Sequence, residues 1–153
     1  MTQLSPFSIT TKLTFSQHLS LESAKLKVVV VDDVLIIREH ITEILKETGL
    51  VGIVGWAEDA RSAVEAIHES WPNVVILDIG IPGTLELHNG IAVLKWIKRT
   101  HPHIYVVMLT NMSVLAYREE CLRAGAFSFL DKSREFDQLP EVIKAILGFA
   151  VVT

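Results

Sequence analysis

The sequence predicts an α/β domain: a doubly wound, five-stranded parallel sheet with helices on both faces. Three observations predict it. Short apolar, mostly β-branched runs recur along the chain, among them Val28-Val29-Val30-Val31, Val74-Val75-Ile76-Leu77 and Val106-Val107-Met108-Leu109. Such runs are the pattern of strands buried on both faces. Stretches of helical period separate them, and strict alternation of strand and helix argues for parallel strands joined by right-handed crossovers. Finally, the runs end in polar residues. The clearest case is Asp78, which is followed at once by Ile79-Gly80-Ile81-Pro82-Gly83. In open α/β sheets the carboxyl edge of the strands is where ligands bind.

The elements follow in order. Residues 1–24 are rich in Ser and Thr, with Leu4, Phe7, Ile9, Leu13, Phe15 and Leu19 scattered among them and no clean period. They read as a tail ahead of a domain at 25–150. Residues 25–31 form the first strand, running into Asp32-Asp33. Residues 34–48 form a helix with Leu35, Ile36, Ile41, Ile44 and Leu45 on its apolar face, closed by Gly49. A second strand covers 51–56 and a second helix 57–70, capped by Asp59 and ended by Pro72. The Asp78 strand comes next, then a polar loop at 83–89 holding Glu86 and His88. Asn89 caps a helix over 90–100, with Ile91, Val93, Leu94 and Ile97 inward. The fourth strand, 104–109, stops at Thr110-Asn111, and a helix over 113–123 is closed by Gly125. The fifth strand, 126–130, stops at Asp131-Lys132, and a last helix covers 135–149. Five βα units in a domain of this size fit the flavodoxin-like arrangement, strand order 2-1-3-4-5; a barrel needs eight.

Composition narrows the function. The chain has 153 residues, half of them hydrophobic, with a net charge of −4. That length suffices for one domain with a sizeable core. The charge offers no footprint for direct nucleic-acid binding or for an anionic membrane. Cys121 is the single cysteine, so no internal disulfide forms and a cytoplasmic location is the simplest expectation. Neither a membrane-spanning run nor a secretory leader is visible. The six histidines lack zinc-site spacing.

Taken singly, Asp78 as a polar strand stop, Asp32-Asp33 as a solvated turn and Lys132 as a solvent-facing residue are the commoner readings. The strand order joins them. Strands 1 and 3 are neighbours, so Asp32, Asp33 and Asp78 share one pocket, and three carboxylates that close do not all stay ionised unpaired. A hard divalent cation resolves this, and Mg2+ suits one or two carboxylates with waters and a phosphate. Thr110 and Lys132 flank the other side with a hydroxyl and an ammonium, both suited to phosphate oxygens. A carboxylate so placed is a candidate nucleophile for aspartyl phosphate chemistry.

The segments VVVVDD, VILDIGIPG, VVMLTN and FSFLDK strongly resemble the receiver domain of two-component response regulators, over about residues 25–149. The resemblance implies that Asp78 accepts a phosphoryl group from a histidine kinase or histidine phosphotransfer protein. It implies that Asp33, Asp78 and the main-chain carbonyl of Gly80 bind Mg2+ directly, with Asp32 assisting through the metal's waters. Lys132 is then the phosphate contact, Thr110 the switch hydroxyl and Phe129 the switch aromatic. Such a domain is not an enzyme beyond its own phosphorylation and dephosphorylation. The chain leaves no room for an output domain after the last helix, so a stand-alone receiver acting on a partner protein, or as a phosphoryl shuttle or sink, is expected.

The chain departs from the family pattern at four places. Ser133 stands where Pro usually follows the lysine, the loop after Asp78 is about four residues longer than typical short connections, Gly80 is unusually small, and Asn111 is bulkier than the common Ala or Ser. Three rivals remain. A phosphatase of the haloacid dehalogenase type needs a second Asp two residues after the nucleophile, where this chain has Gly80. A nucleotide or flavin site lacks its glycine-rich loop. A receiver-fold interaction module that is never phosphorylated is countered by the intact Asp33, Asp78, Thr110 and Lys132 set.

Overall fold

The computed structural model describes residues 25–152, with side chains through residue 150; the expected tail at 1–24 lies outside the described residues. Five strands alternate with five helices: β1 (Leu26–Val31), α1 (Leu35–Glu47), β2 (Val51–Ala57), α2 (Ala60–Ser70), β3 (Val74–Leu77), α3 (Gly90–Thr100), β4 (Tyr105–Thr110), α4 (Leu115–Arg123), β5 (Ser128–Asp131) and α5 (Leu139–Val152). The strands form one sheet in the order β2-β1-β3-β4-β5, all parallel. The doubly wound arrangement is as the sequence predicts.

Two apolar layers hold the helices to the sheet. Side chains of alternating direction along β1 feed both: Val29 and Val31 pack with α2 and α3, whereas Val28 and Val30 pack with α1 and α5. All four residues of β3 are buried, as a central strand requires. Asp59 and Asn89 cap their helices through side-chain oxygens that accept amides three residues on, from Ser62 at 2.7 Å and Ala92 at 3.0 Å. Gly49 and Gly125 end α1 and α4 with φ of +72° and +104°, the left-handed geometry that glycine adopts freely. Cys121 is buried in the layer with α3, and burial pushes its thiol up to about 11.

Three features differ from expectation. The apolar face of α1 is Ile37, Ile41, Ile44 and Leu45; Leu35 and Ile36 are instead 59% and 67% exposed. At 3.6 residues per turn Ile36 falls nearly opposite Ile41 and Leu45, and Leu35 sits in the exposed first turn, so residue type misled where position did not. The helix α2 ends on Trp71 at φ 49°, a left-handed conformation uncommon for a bulky residue. The last helix begins as a short 3-10 turn at Phe136–Gln138.

Candidate functional site

Register builds the site. Val31 pairs with Leu77, and Leu77 with Met108. Asp32 and Asp78, the next residues, therefore emerge side by side, with Thr110 one residue beyond the level of Asp78 on the next strand. Thr110 pairs with Asp131, which brings Lys132 to the same edge. The ladder continues into these residues: the Asp78 amide donates to the Val31 carbonyl at 3.1 Å, and the Lys132 amide to the Thr110 carbonyl at 3.0 Å. The carboxylates are thus fixed by strands rather than carried on loose loops.

One carboxylate oxygen from each of Asp32, Asp33 and Asp78 lies within 4.8 Å of the others. Asp32 and Asp78 are buried and Asp33 is exposed. The Lys132 ammonium, on a side chain only 9% exposed, reaches in from the β5 side. It donates to Asp78 Oδ2 at 2.9 Å and forms an ion pair with Asp32 Oδ2. Asp32 Oδ1 accepts the Val34 amide at 2.9 Å, and Asp78 Oδ1 accepts the Gly80 amide at 3.2 Å. Burial pushes the Asp32 carboxyl above the ordinary carboxylate range, against the pull of Lys132. Burial also works against the charge on Lys132, but hydrogen bonds to Asp32 and Asp78 outweigh it and raise the ammonium's pKa.

The donor set fits a hard divalent cation. Three carboxylates supply the oxygen ligands such an ion takes, and the buried Asp32 Oδ2 has the Lys132 ammonium as its one partner among the described residues. Buried carboxylates that share one ammonium are costly unless something further meets them. Mg2+ is an ion whose ligand preference these three carboxylates would suit.

The glycines around Asp78 are set by close approach. A Cβ at Gly90 would overlap the carbonyl oxygen of Asp78, and the Gly90 amide donates to the Ile79 carbonyl at 2.8 Å. The start of α3 is therefore pressed against the backbone of the acidic residue. A Cβ at Gly83 would overlap the Leu87 and His88 backbone. The long loop closes here: the Thr84 amide donates to the Leu87 carbonyl at 2.8 Å, and Thr84 Oγ1 accepts the Leu87 amide at 2.9 Å. Leu87 packs on the core while Leu85 is fully exposed. Gly80 is exposed, and Met112 Sδ would stand 3.5 Å from an added Cβ there. Asn111 is exposed beside Lys132.

Two arrangements were not anticipated from sequence. The Asp131 carboxylate joins two loops, accepting the hydroxyl of Ser113 at 2.7 Å on one oxygen and the amide and hydroxyl of Ser133 at 2.8 and 2.6 Å on the other. Hydrogen bonds from the Ser133 hydroxyl, the Ser113 hydroxyl and the Ser133 amide hold this carboxyl down at about 2. The Asp-x-Ser spacing of 131–133 is the signal that could have revealed it. Phe129 is buried with the Arg118 guanidinium 5.1 Å from its ring centroid, and Arg118 also pairs with Glu135 at 2.9 Å. Thr110 is fully buried, and its Oγ1 accepts the Met112 amide at 3.1 Å.

The sequence profile of the response regulator receiver domain matches residues 28–144. The chain belongs to the response regulator receiver family. The fimbriae Z protein of Salmonella typhimurium is 31% identical over 79% of the chain and 56% of its own length. A protein-glutamate methylesterase/protein-glutamine glutaminase of Clostridium acetobutylicum is 32% identical over 71% of the chain and 31% of its own length. Among solved structures, the response regulator domain of Thermotoga maritima CheB superposes with a TM-score of 0.69 at 32% identity, covering 81% of this chain and 95% of that one. A LuxR-family DNA-binding response regulator of Staphylococcus aureus gives 0.71 at 27% identity, covering 79% and 98%. The chain spans about half the length, or less, of the first curated relatives it matches. No helix among the described residues is long and apolar enough to cross a membrane.

Proposed function

We propose that this receiver takes a phosphoryl group onto Asp78 from the phosphohistidine of a histidine kinase or histidine phosphotransfer protein. The observation that carries the reading is the placement of Asp78 itself. It is a buried carboxylate on a central strand end, held by Lys132 at 2.9 Å and within 4.8 Å of two more carboxylates. A strand end of that kind has no structural need for three acids and a buried cation.

In the transfer, an Asp78 carboxylate oxygen forms a bond to phosphorus as the phosphorus–nitrogen bond to the donor imidazole breaks. Catalysis here is mostly positioning and charge neutralisation. Asp33, Asp78 and the Gly80 carbonyl would hold Mg2+, with Asp32 assisting, and the ion supplies charge neutralisation for the phosphoryl oxygens. Lys132, already beside Asp78 Oδ2, trades carboxylate for phosphate oxygens. The Thr110 hydroxyl accepts from Met112 and keeps its proton to donate to the phosphate. Moving Thr110 toward the phosphate draws on the space beside Phe129, and the two states of that pair alter the surface offered to a partner.

The setting proposed is cytoplasmic, with a partner protein rather than nucleic acid as the direct target. The receiver serves as a partner-binding switch or as a phosphoryl shuttle or sink. The DNA-binding and esterase names belong to the related proteins. Beryllofluoride, a phosphoryl mimic, tests the site with a spectroscopic readout. With Mg2+ it is expected to shift the amide resonances of Asp78, Thr110, Phe129 and Lys132 together, reversibly with chelator and not in Asp78→Asn. Unchanged spectra in the native chain would overturn the proposal.

A further inference from the structure

The two acids at the end of β1 are joined by one peptide, and a side chain from α1 holds it. Asp32 completes the sheet ladder: its amide donates to the Ala57 carbonyl at 3.0 Å. β2 ends at Ala57. The next two amides, of Glu58 and Asp59, both donate to Ser62 Oγ, at 3.2 and 3.3 Å. Neither is left to meet the Asp32 carbonyl, on a residue only 1% exposed. A buried backbone carbonyl needs a partner. Arg38 supplies it, with Nη1 donating to the Asp32 carbonyl oxygen at 2.6 Å.

That contact is short and charge-assisted, and such hydrogen bonds are roughly twice as strong as neutral ones. It falls where the turn has little other support. Val34, at the N-cap position of α1, makes no side-chain cap. The Val34 amide does tie the turn to Asp32 Oδ1 at 2.9 Å, while Asp32 Oδ2 is committed to Lys132. A peptide is planar, so the Asp32 carbonyl and the Asp33 amide turn as one unit. Fixing the oxygen fixes the plane, and with it the point from which the Asp33 side chain leaves. Asp33 is the exposed member of the triad, without the burial that holds Asp32 and Asp78.

Arg38 is itself held. It is half-buried, whereas Leu35, Ile36, Glu39 and His40 around it are exposed. Its main-chain carbonyl accepts the Thr42 hydroxyl at 2.8 Å, and Thr42 Oγ1 accepts the Trp56 indole N–H at 3.1 Å. Arg38 and Trp56 share the walls of two cavities. One is a groove of about 600 Å³ that runs to Lys46, the other a space of about 210 Å³ toward Glu58 and Ser62. With open space on both sides, a side chain at 38 that cannot donate leaves the carbonyl to water.

We propose that Arg38 is a positioning residue for the metal site: through the Asp32–Asp33 peptide it sets how Asp33 is offered to the ion. The inference rests on the reading of Asp32, Asp33 and Asp78 as a Mg2+ site. Partners one step removed from a metal are typically worth about 10–100-fold in its affinity. Position and charge act here with opposite signs. By charge alone a guanidinium beside the triad opposes a divalent cation, so its loss would tighten binding. As a clamp on the turn it favours the ion, so its loss weakens binding.

Mg2+ titration of the full chain, followed through the amide resonances of Asp33 and Gly80, tests it. Arg38→Met, with a long apolar stem and no donor, is expected to raise the Mg2+ dissociation constant at least about tenfold. Arg38→Lys keeps a charged donor on a shorter stem and is expected to fall between the two. Without metal, Arg38→Met is expected to lose the slow hydrogen exchange of the Val34 amide, while the amides of β3 keep theirs as the control for folding. A tighter or unchanged Mg2+ constant in Arg38→Met overturns the proposal and leaves the metal site standing. A native chain that binds no Mg2+ overturns the metal reading and the proposal with it.

Discussion

Lys132 is the cation paired with the Asp32 and Asp78 carboxylates among the described residues, and two buried carboxylates depend on it. Removing one partner of a buried ion pair leaves uncompensated charge. Lys132→Met is therefore expected to lower unfolding stability at pH 7 by about 3 kcal/mol, and millimolar Mg2+ to restore part of the loss. Urea unfolding with and without the ion checks this; an unchanged midpoint would show that the carboxylates carry no net charge to neutralise. Ser133, one residue on, does what proline could not. Its amide donates to Asp131 at 2.8 Å. In Ser133→Pro that donor and the hydroxyl are both gone while the Ser113 hydroxyl remains, so the Asp131 carboxyl, now at about 2, should titrate higher, part of the way back toward an ordinary aspartate. Side-chain carboxyl NMR reads the change directly. An unmoved titration would mean that Ser113 alone sets the value.

Between elements, α2 and α3 meet through rings. His101 at the end of α3 lies 5.4 Å from Trp96, 5.7 Å from His68 and 6.0 Å from Trp71 between centroids, with His103 at 6.3 Å. Burial first, then His68 and His103, holds the His101 imidazole below its usual pKa. The sign follows: near and below pH 6.5 the unfolded chain takes up this proton more readily than the folded one, so stability falls as pH drops from there toward the lower folded value. Urea midpoints measured from pH 7.5 to 5 should show that fall, and His101→Asn should flatten it. An equal slope in the variant would remove His101 as its cause. At this scale most of the fold is legible in the sequence. The apolar runs of β1, β3 and β4 mark buried strands, and Asp59 and Asn89 mark helix starts because a short polar side chain ahead of an apolar period has a local hydrogen bond to make. What the sequence conceals is geometry set by distant contacts. The exposed Leu35 and Ile36, the left-handed Trp71 and the close approach of Gly90 to Asp78 all depend on which element lies alongside.

Across the whole molecule, the sheet does two things at once. Its order puts β1 beside β3, which gathers Asp32, Asp33 and Asp78, and its register carries Thr110 and Lys132 to the same edge. The polar candidates were readable because each is the first or second polar residue after an apolar run. The Lys132 bridge, the Asp131 clamp and the Arg118 contact on Phe129 were not, since each joins residues far apart in sequence or held by a particular rotamer. The measurement that bears most directly on the account is intact mass after incubation with Mg2+ and acetyl phosphate, for the native chain and Asp78→Asn. The account predicts one added phosphate, absent in the variant and blocked by chelator. A native chain that gains no phosphate, or a variant that gains it equally, would contradict it.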